Sequence, residues 1–372
     1  MLARMSRLLL ALLSLAFACA GCGGTSHDVS PEREELMLHG RWQPESTARV
    51  LDLIRGRGRR SCTFDAAAPP VVLFDWDNTA MRGDIGDLAF SWALDHDALT
   101  GLPPPGGFGA LGPLRPDLAA ELDTSCVRGD DGALPSHCRN LLARVALTGL
   151  DLHEHDAFTV PIGGTFKPSY ALLSQLYVGL THDEIASIGR ITLRRALEAP
   201  LGARIEVAET EVEAFARVTP ELRELVELLR AEGFDVWIVS ASHQALVEVA
   251  AAELGFPTDH VIGMRPRRDG GGRYTSGFVD PTDGLSHEPI TTYDTGKRVW
   301  ALREIFGVRG ADLLATPTHA PVACFGDADT DFSMLDWATD LAFLFDRGYP
   351  RVSARAAERP DRWVVQPVLE AP

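Results

Sequence analysis

Two aspartates, Asp75 and Asp77, stand one residue apart directly after the apolar run Val71-Val72-Leu73-Phe74, and Thr79 follows two residues later. A short apolar run that ends this abruptly reads as a buried strand of a parallel sheet. Open α/β sheets bind their ligands just past the carboxyl ends of the strands. Residues i and i+2 of an extended chain share a side, so Asp75 and Asp77 are expected to face one pocket, with Thr79 behind them. The intervening Trp76 points the other way and reads as packing. Two carboxylates this close do not both ionise easily without a partner, which suits a metal-plus-nucleophile pair or an acid/base pair. The same D-x-D pattern also arises in ordinary loops, so the reading depends on what the rest of the chain brings to the same place.

Three more polar groups follow the same logic. Residues 234–239 form a second apolar run that ends in Ser240-Ala241-Ser242. Thr295-Gly296-Lys297-Arg298 opens a helical pattern through Trp300, Leu302 and Ile305. Val322-Ala323-Cys324-Phe325 is a third apolar run, ending in Gly326-Asp327-Ala328-Asp329-Thr330-Asp331, and residues 341–345 are a further buried-strand candidate. Polar residues thus recur at strand ends, where an open sheet would gather them.

In this order, D-x-D-x-T, a strand-terminal serine, a lysine and G-D-x-x-x-D resemble the motifs of the haloacid dehalogenase superfamily, over residues 71–331. The pattern is most similar to the phosphoserine-phosphatase-like branch. The stretches from Pro289 to Arg298 and from Gly40 to Pro44 also resemble bacterial secreted phosphorylcholine phosphatases. The resemblance implies that Asp75 attacks phosphorus and forms an aspartyl-phosphate. It implies that Asp77 protonates the leaving oxygen and later deprotonates the hydrolytic water. Magnesium would be held by the Asp75 carboxylate, the Asp77 carbonyl and Asp327, with Asp331 helping directly or through water. Ser240 and the Ala241 amide would bind phosphate, Lys297 would neutralise its charge and orient Asp75, and Thr79 would fix Asp77. An aspartate at position 77 sets the chain with the phosphatases of the superfamily, apart from its dehalogenases and P-type ATPases. Hydrolysis of a small-molecule phosphomonoester is the leading expectation. Transfer to an alcohol acceptor, a phosphoserine-type substrate, and a catalytically silent binding lipoprotein on the same fold are the alternatives.

The elements that must position these residues indicate an α/β fold: a doubly wound parallel sheet, with strands and helices alternating. The resemblance implies a Rossmann-like core of residues 39–81 and 216–372, and a mainly helical cap of residues 82–215 inserted after the first strand. In the core, residues 44–55 read as a helix closed by Gly56. Thr219 caps a helix that has Pro220 at its first position. Residues 235–239 read as a strand and 243–254 as a helix closed by Gly255, while 264–290 read as a hairpin or excursion. In the insert, 101–137 is rich in Gly and Pro and reads as loop, and Thr181 with Glu184 forms a capping box.

Head-group recognition is less legible. A quaternary ammonium needs an aromatic cage, for which Trp92, Phe108, Phe166, Tyr170 and Tyr177 are candidates, although the spacing of the tyrosines also suits a core. Asp84 and Asp87 are candidates to face the substrate, and Arg82 is an equal candidate for a substrate carboxylate. Asp329 is a further acid near the metal motif. His153 and His155 form an H-x-H pair of the kind that binds transition metals, with no further ligand in sequence reach. They read as polar surface.

The N-terminus carries Arg4 and Arg7 before an apolar stretch, residues 8–18, that is too short to span a bilayer. Small residues then lead to Cys22, resembling a bacterial lipoprotein signal over residues 1–21, followed by a polar tether at 22–38. Export and a lipid anchor at Cys22 are expected, with an ordinary signal peptide as the alternative. The formal charge of −17 argues against a nucleic-acid partner. In an oxidising compartment Cys126 and Cys138, twelve apart in one loop-rich stretch, are the expected disulfide. Cys324 falls in a core strand and Cys62 has no assignment.

Overall fold

The computed structural model describes residues 40–111, 113–160 and 162–369. The signal segment, Cys22 and the tether lie outside the described residues. The chain begins with helix α1 (Pro44–Arg57) and strand β1 (Val71–Phe74). The segment after β1 holds helices α2 (Ile85–Asp95), α3 (Pro116–Ser125), α4 (Ser136–Thr148), α5 (Pro168–Gln175) and α6 (His182–Glu198), then an antiparallel hairpin, β2 (Arg204–Val207) and β3 (Thr210–Glu213). Helix α7 (Pro220–Ala231), β4 (Asp235–His243), α8 (Gln244–Ala251) and β5 (Val261–Met264) return to the main sheet. A second hairpin, β6 (Pro266–Arg268) and β7 (Tyr274–Phe278), precedes α9 (Thr295–Glu304). The chain closes with β8 (Ala323–Gly326), α10 (Phe332–Trp337), β9 (Leu341–Asp346), α11 (Pro350–Glu358) and β10 (Trp363–Pro367).

The main sheet has six parallel strands in the order β10-β9-β8-β1-β4-β5. Val72, Leu73, Phe74, Cys324, Phe325 and Phe343 are fully buried, as expected of a sheet covered on both faces. From β1 the chain moves toward β4 and β5, whereas from β8 it moves toward β9 and β10. The crevice between β1 and β8 is therefore the switch point of the doubly wound topology, the place where such sheets bind ligands. The register sets Phe74 beside both Ile238 and Phe325, so the residues that follow β1, β4 and β8 emerge at one level.

Local chemistry accounts for most element ends. Thr219 accepts from the Leu222 amide at the start of α7, and both halves of the Thr181–Glu184 capping box are formed. Cys126 and Cys138 are disulfide-bonded and tie the end of α3 to the start of α4; Cys62 is exposed and free, and Cys324 is buried and free. Three expectations need correction. Helix α1 runs through Gly56 to Arg57 and ends at Gly58, whose amide donates to Ile54 O and where a Cβ would lie 2.6 Å from that oxygen. Strand β4 continues past Val239 to His243, and α8 starts only at Gln244 because His243 Nδ1 accepts from the Ala245 amide. The Gly/Pro-rich stretch contains α3, with Pro116 in its first turn, where proline is tolerated. The insert also carries the β2–β3 hairpin. Its turn residues Ala208 and Glu209 both have positive φ, 47° and 63°, without the Gly or Asn that usually signals such a turn.

Candidate active site

Asp75 sits one residue past β1, and its amide still donates to Phe325 O at 2.9 Å, which pins it to the sheet. Lys297 enters from the first turn of α9 and is fully buried. Its Nζ donates to Asp75 Oδ1 at 2.5 Å and to Asp331 Oδ1 at 2.6 Å. The second Asp331 oxygen accepts from the amides of Asp327 and Ala328 at 3.1 and 3.2 Å. Gly326 is required beneath it, since a Cβ there would approach the Asp331 Cβ to 2.7 Å. Asp327 takes the Thr79 hydroxyl at 3.1 Å and faces Arg347 at 3.4 Å.

Asp77 looks in a different direction. Its Oδ1 accepts from the Ile85 amide at 2.8 Å, and its Oδ2 accepts from Ser242 Oγ at 2.6 Å and Ser240 Oγ at 3.3 Å. Asn78, at φ 61°, makes the turn just after it. A cleft of about 350 Å³ opens over this group. Its floor includes Asp75, Asp77, Ala241, Ser242 and Asp327, and its far wall includes Asp84, Asp87, Tyr170, Tyr177 and residues 210–213 of the insert.

Concentrated carboxylates in a buried place perturb one another. Burial, reinforced by Asp331 and opposed by Lys297, pushes Asp75 up to about 7. Burial, with Asp84 and Asp75 nearby, holds Asp77 well above the usual carboxylate range despite the Ser242 and Ile85 hydrogen bonds. Burial, Asp331 and Asp75 do the same for Asp327 against Arg347 and Thr79. Burial works against the Lys297 charge, but Asp331 and Asp75 outweigh it and raise its pKa.

With this geometry in place, the profile of the haloacid dehalogenase-like hydrolase family matches residues 147–336, more than half of the chain. The chain belongs to that family. The match begins downstream of Asp75 and Asp77, so the first aspartate pair is joined to it by the fold. A conserved protein of unknown function from Anaerococcus prevotii DSM 20548 is 15% identical, with 88% of this chain and 96% of that one covered at a TM-score of 0.57, which shows a shared fold. More distant are a protein of unknown function from Bordetella pertussis Tohama I (16% identity, 79% and 97% covered, TM-score 0.44) and a substrate-bound phosphoserine phosphatase (13%, 79% and 92%, TM-score 0.35). Among curated proteins nothing matches.

Members of this hydrolase family generally use magnesium, and the donor set here fits a hard divalent cation. Among the described residues, the one group able to hold a metal is Asp75, Asp327 and Asp331, with oxygens within 4.8 Å of one another. All three are buried carboxylates, the ligand type magnesium prefers, and a cation there would relieve the mutual repulsion that raises Asp75 and Asp327. Both Asp331 oxygens are already engaged by Lys297 and two amides, which suits support of the site more than direct ligation.

Several expectations meet a different outcome. Thr79 bonds Asp327, where Asp77 had been expected. Ser240 is fully buried and ties Asp77 to the Ser242 amide, which donates to it at 3.1 Å; Ser242, two residues on, presents its hydroxyl to the cleft. The i, i+2 rule that paired the two aspartates could have flagged Ser242. Asp329 accepts from the Val352 amide at 3.1 Å and caps α11, away from the acid cluster. Arg82 forms a backbone bridge with Arg217 and faces the Phe215 ring. Trp92 stacks on His96, 4.4 Å between centroids, and neither Trp92, Phe108 nor Phe166 lines the cleft. His155 is largely exposed beside Asp151, consistent with polar surface. Arg347 and Tyr349 also line the cleft, and nothing in their local sequence marks them. His243 was missed as well. Burial, with His182 and Arg268 nearby, lowers its pKa to about 3, and the amide on Nδ1 leaves the proton on Nε2.

Proposed function

We propose that the chain is a magnesium-dependent phosphomonoesterase acting on small-molecule phosphate esters through an aspartyl-phosphate. The observation that carries this reading is the division of labour between the two aspartates. Asp75 faces Lys297, whereas Asp77 faces the hydroxyls of Ser240 and Ser242, where burial, with Asp84 and Asp75 nearby, raises it well above the usual carboxylate range. Two titratable groups whose surroundings assign them opposite tasks are the mark of an acid/base and nucleophile pair. An Asp75 oxygen attacks phosphorus as the ester P–O bond breaks, and the Asp77 proton goes to the departing alcohol oxygen. Water then attacks phosphorus, Asp77 takes its proton, and the P–O bond to Asp75 breaks to release phosphate. Lys297 offsets charge on the phosphoryl oxygens and holds Asp75 in line. The Ala241 amide would donate to the same oxygens, with Ser240 fixing the turn beneath it and the Ser242 hydroxyl holding Asp77. Magnesium, when bound by Asp75, Asp327 and the Asp77 carbonyl, with Asp331 in support, supplies charge neutralisation between anionic nucleophile and anionic ester.

Residues 82–215 act in this reading as a cap that excludes water from the phosphoenzyme. The resemblance to phosphorylcholine phosphatases favours a choline ester, and the Tyr170, Tyr177, Asp84 and Asp87 wall has the chemistry for a cationic head. Export with a lipid anchor at Cys22 belongs to the same proposal. The test is phosphate release from p-nitrophenyl phosphate, phosphorylcholine and phosphoserine, with and without magnesium. Release that needs magnesium and Asp75 supports the reading. Turnover that persists in Asp75→Asn removes Asp75 as the nucleophile.

A further inference from the structure

An anionic ester has to enter a cleft that is itself lined with carboxylates. Asp84, Asp87, Glu211 and Glu213 line it together with Asp75 and Asp77. Among the described residues, Arg347 is the one cationic side chain that lines it. Lys297 lies beneath, fully buried, with its Nζ held between Asp75 and Asp331. Arg347 is placed differently. Its side chain is 24% exposed, and its one hydrogen bond among the described residues runs to Asp327 Oδ2 at 3.4 Å. That is long for a charge-assisted bond, which normally closes to about 2.7–2.9 Å. The guanidinium also acts on the opposite side of the cleft. Burial raises Asp84, against the Asp87 and Gly86 amides and the charges of Lys167 and Arg347.

The loop that presents Arg347 is held at several points. Asp346 Oδ1 accepts from the Gly348 amide at 2.9 Å, which closes the turn after β9. Just beyond it, Asp329 accepts from the Val352 amide at 3.1 Å, and Arg351 donates to Asp294 Oδ2 at 2.7 Å. The Arg347 loop is therefore tied to the two segments that set Asp327 and Lys297. We infer that Arg347 is a further substrate-binding residue, whose guanidinium turns from Asp327 to the nonbridging oxygens of the phosphoryl group. The inference rests on the phosphomonoesterase reading. A planar fork of several donors matches two phosphoryl oxygens at once, so one long contact is exchanged for a bidentate, charge-assisted pair. Lys297 is fixed by two carboxylates before substrate arrives, whereas Arg347 is the cation free to move to it. In the cleft its charge also offsets the field of the acidic wall, which repels an incoming ester.

The experiment is calorimetric binding of inorganic phosphate to the full-length protein, at low and at saturating magnesium, comparing wild type with Arg347→Met and Arg347→Lys. Binding is expected to weaken about 10- to 100-fold in Arg347→Met at both magnesium levels, the scale of a hydrogen-bonded charge pair. Arg347→Lys keeps the charge without the fork and should fall between. KM for p-nitrophenyl phosphate, whose leaving group carries no carboxylate, should rise in the same order. Phosphate binding in Arg347→Met within about twofold of wild type overturns the proposal. A loss seen only at low magnesium also overturns it, because Arg347 would then act by positioning Asp327. So does a loss confined to phosphoserine, which assigns Arg347 to a substrate carboxylate. Arg347→Gln replaces the methionine variant if melting curves show the latter unfolded. Phosphate binding requires no turnover, so a wild type that binds phosphate through Arg347 yet releases none from any ester fails the phosphomonoesterase reading alone.

Discussion

The floor and the far wall of the cleft are built on opposite principles. On the floor, almost every polar atom is spoken for: Lys297 bridges Asp75 and Asp331, two amides hold the other Asp331 oxygen, and three donors converge on Asp77. On the wall, Tyr177 Oη and His243 Nε2 are buried with no hydrogen-bond partner among the described residues. The floor is fixed before substrate arrives, which is what electrostatic catalysis requires. The wall keeps unspent hydrogen-bonding capacity, which is what selection among head groups requires. Substitutions on the floor should therefore strike turnover, and often folding, whereas substitutions on the wall should act on which ester is chosen.

The hardest test of that contrast is Asp75→Asn, expected to lower kcat by at least about a thousandfold. Because burial and Asp331 push Asp75 up to about 7 against Lys297, a neutral amide of the same shape should fold, with a melting temperature within a few degrees of wild type. Lys297→Met couples the two properties. It leaves Asp75 and Asp331 buried without their cation, a loss of about 3–5 kcal/mol for such groups, measurable by urea unfolding, together with loss of phosphate release. Wild-type stability in Lys297→Met would break the claim that the floor is held together by its charges.

The same contrast explains what could be read from sequence. The floor follows from strand ends: Asp75, Asp77, Ser240, Lys297, Asp327 and Asp331 announce themselves as polar residues after apolar runs or at a helix start, and the parallel register brings them to one level. The wall has no such rule. Its β2–β3 hairpin turns on Ala208 and Glu209, which carry no turn signal, and Arg347 and Tyr349 arrive from a loop after β9 that is distant in sequence. Tyr170 and Tyr177 look like core at helical spacing, and Tyr177 is indeed almost fully buried, yet both line the cleft. Thr79 and Ser240 were legible as site residues but not their partners, because a side chain's bond depends on turns such as the one at Asn78 that spacing does not encode.

Two smaller effects sharpen the division. Opening the Cys126–Cys138 bridge, by substituting both with Ser, should lower stability by about 3 kcal/mol for a loop of this size. It should alter KM more than kcat, since the bridge lies in the insert and away from the floor. Ser242→Ala removes the shortest hydrogen bond to Asp77, and the loss of one bond to a catalytic acid should cost kcat about tenfold. The effect should be greatest for esters of poorly acidic alcohols, which depend on protonation of the leaving oxygen, and smallest for p-nitrophenyl phosphate.

The smallest predicted effect lies farthest from the chemistry. Asp151 is buried in the loop after α4, where burial opposes its charge but the His155 and His153 amides and Arg115 more than compensate, bringing its pKa down to about 2. A carboxylate whose folded pKa lies below its unfolded value stabilises the fold above the unfolded pKa, near 3.9. That contribution fades as pH falls toward the folded value. Asp151→Asn keeps the shape and removes the charge, so the variant should be less stable than wild type at pH 6, with the gap closing between about pH 4 and pH 2. Urea midpoints measured across that range decide it. A gap that is constant with pH would mean that shape, and not charge, holds this loop. Phosphate release at neutral pH should change little, because the Asp151 loop contributes no residue to the cleft; a large change there would show that the insert is coupled to the floor through more than the wall it presents.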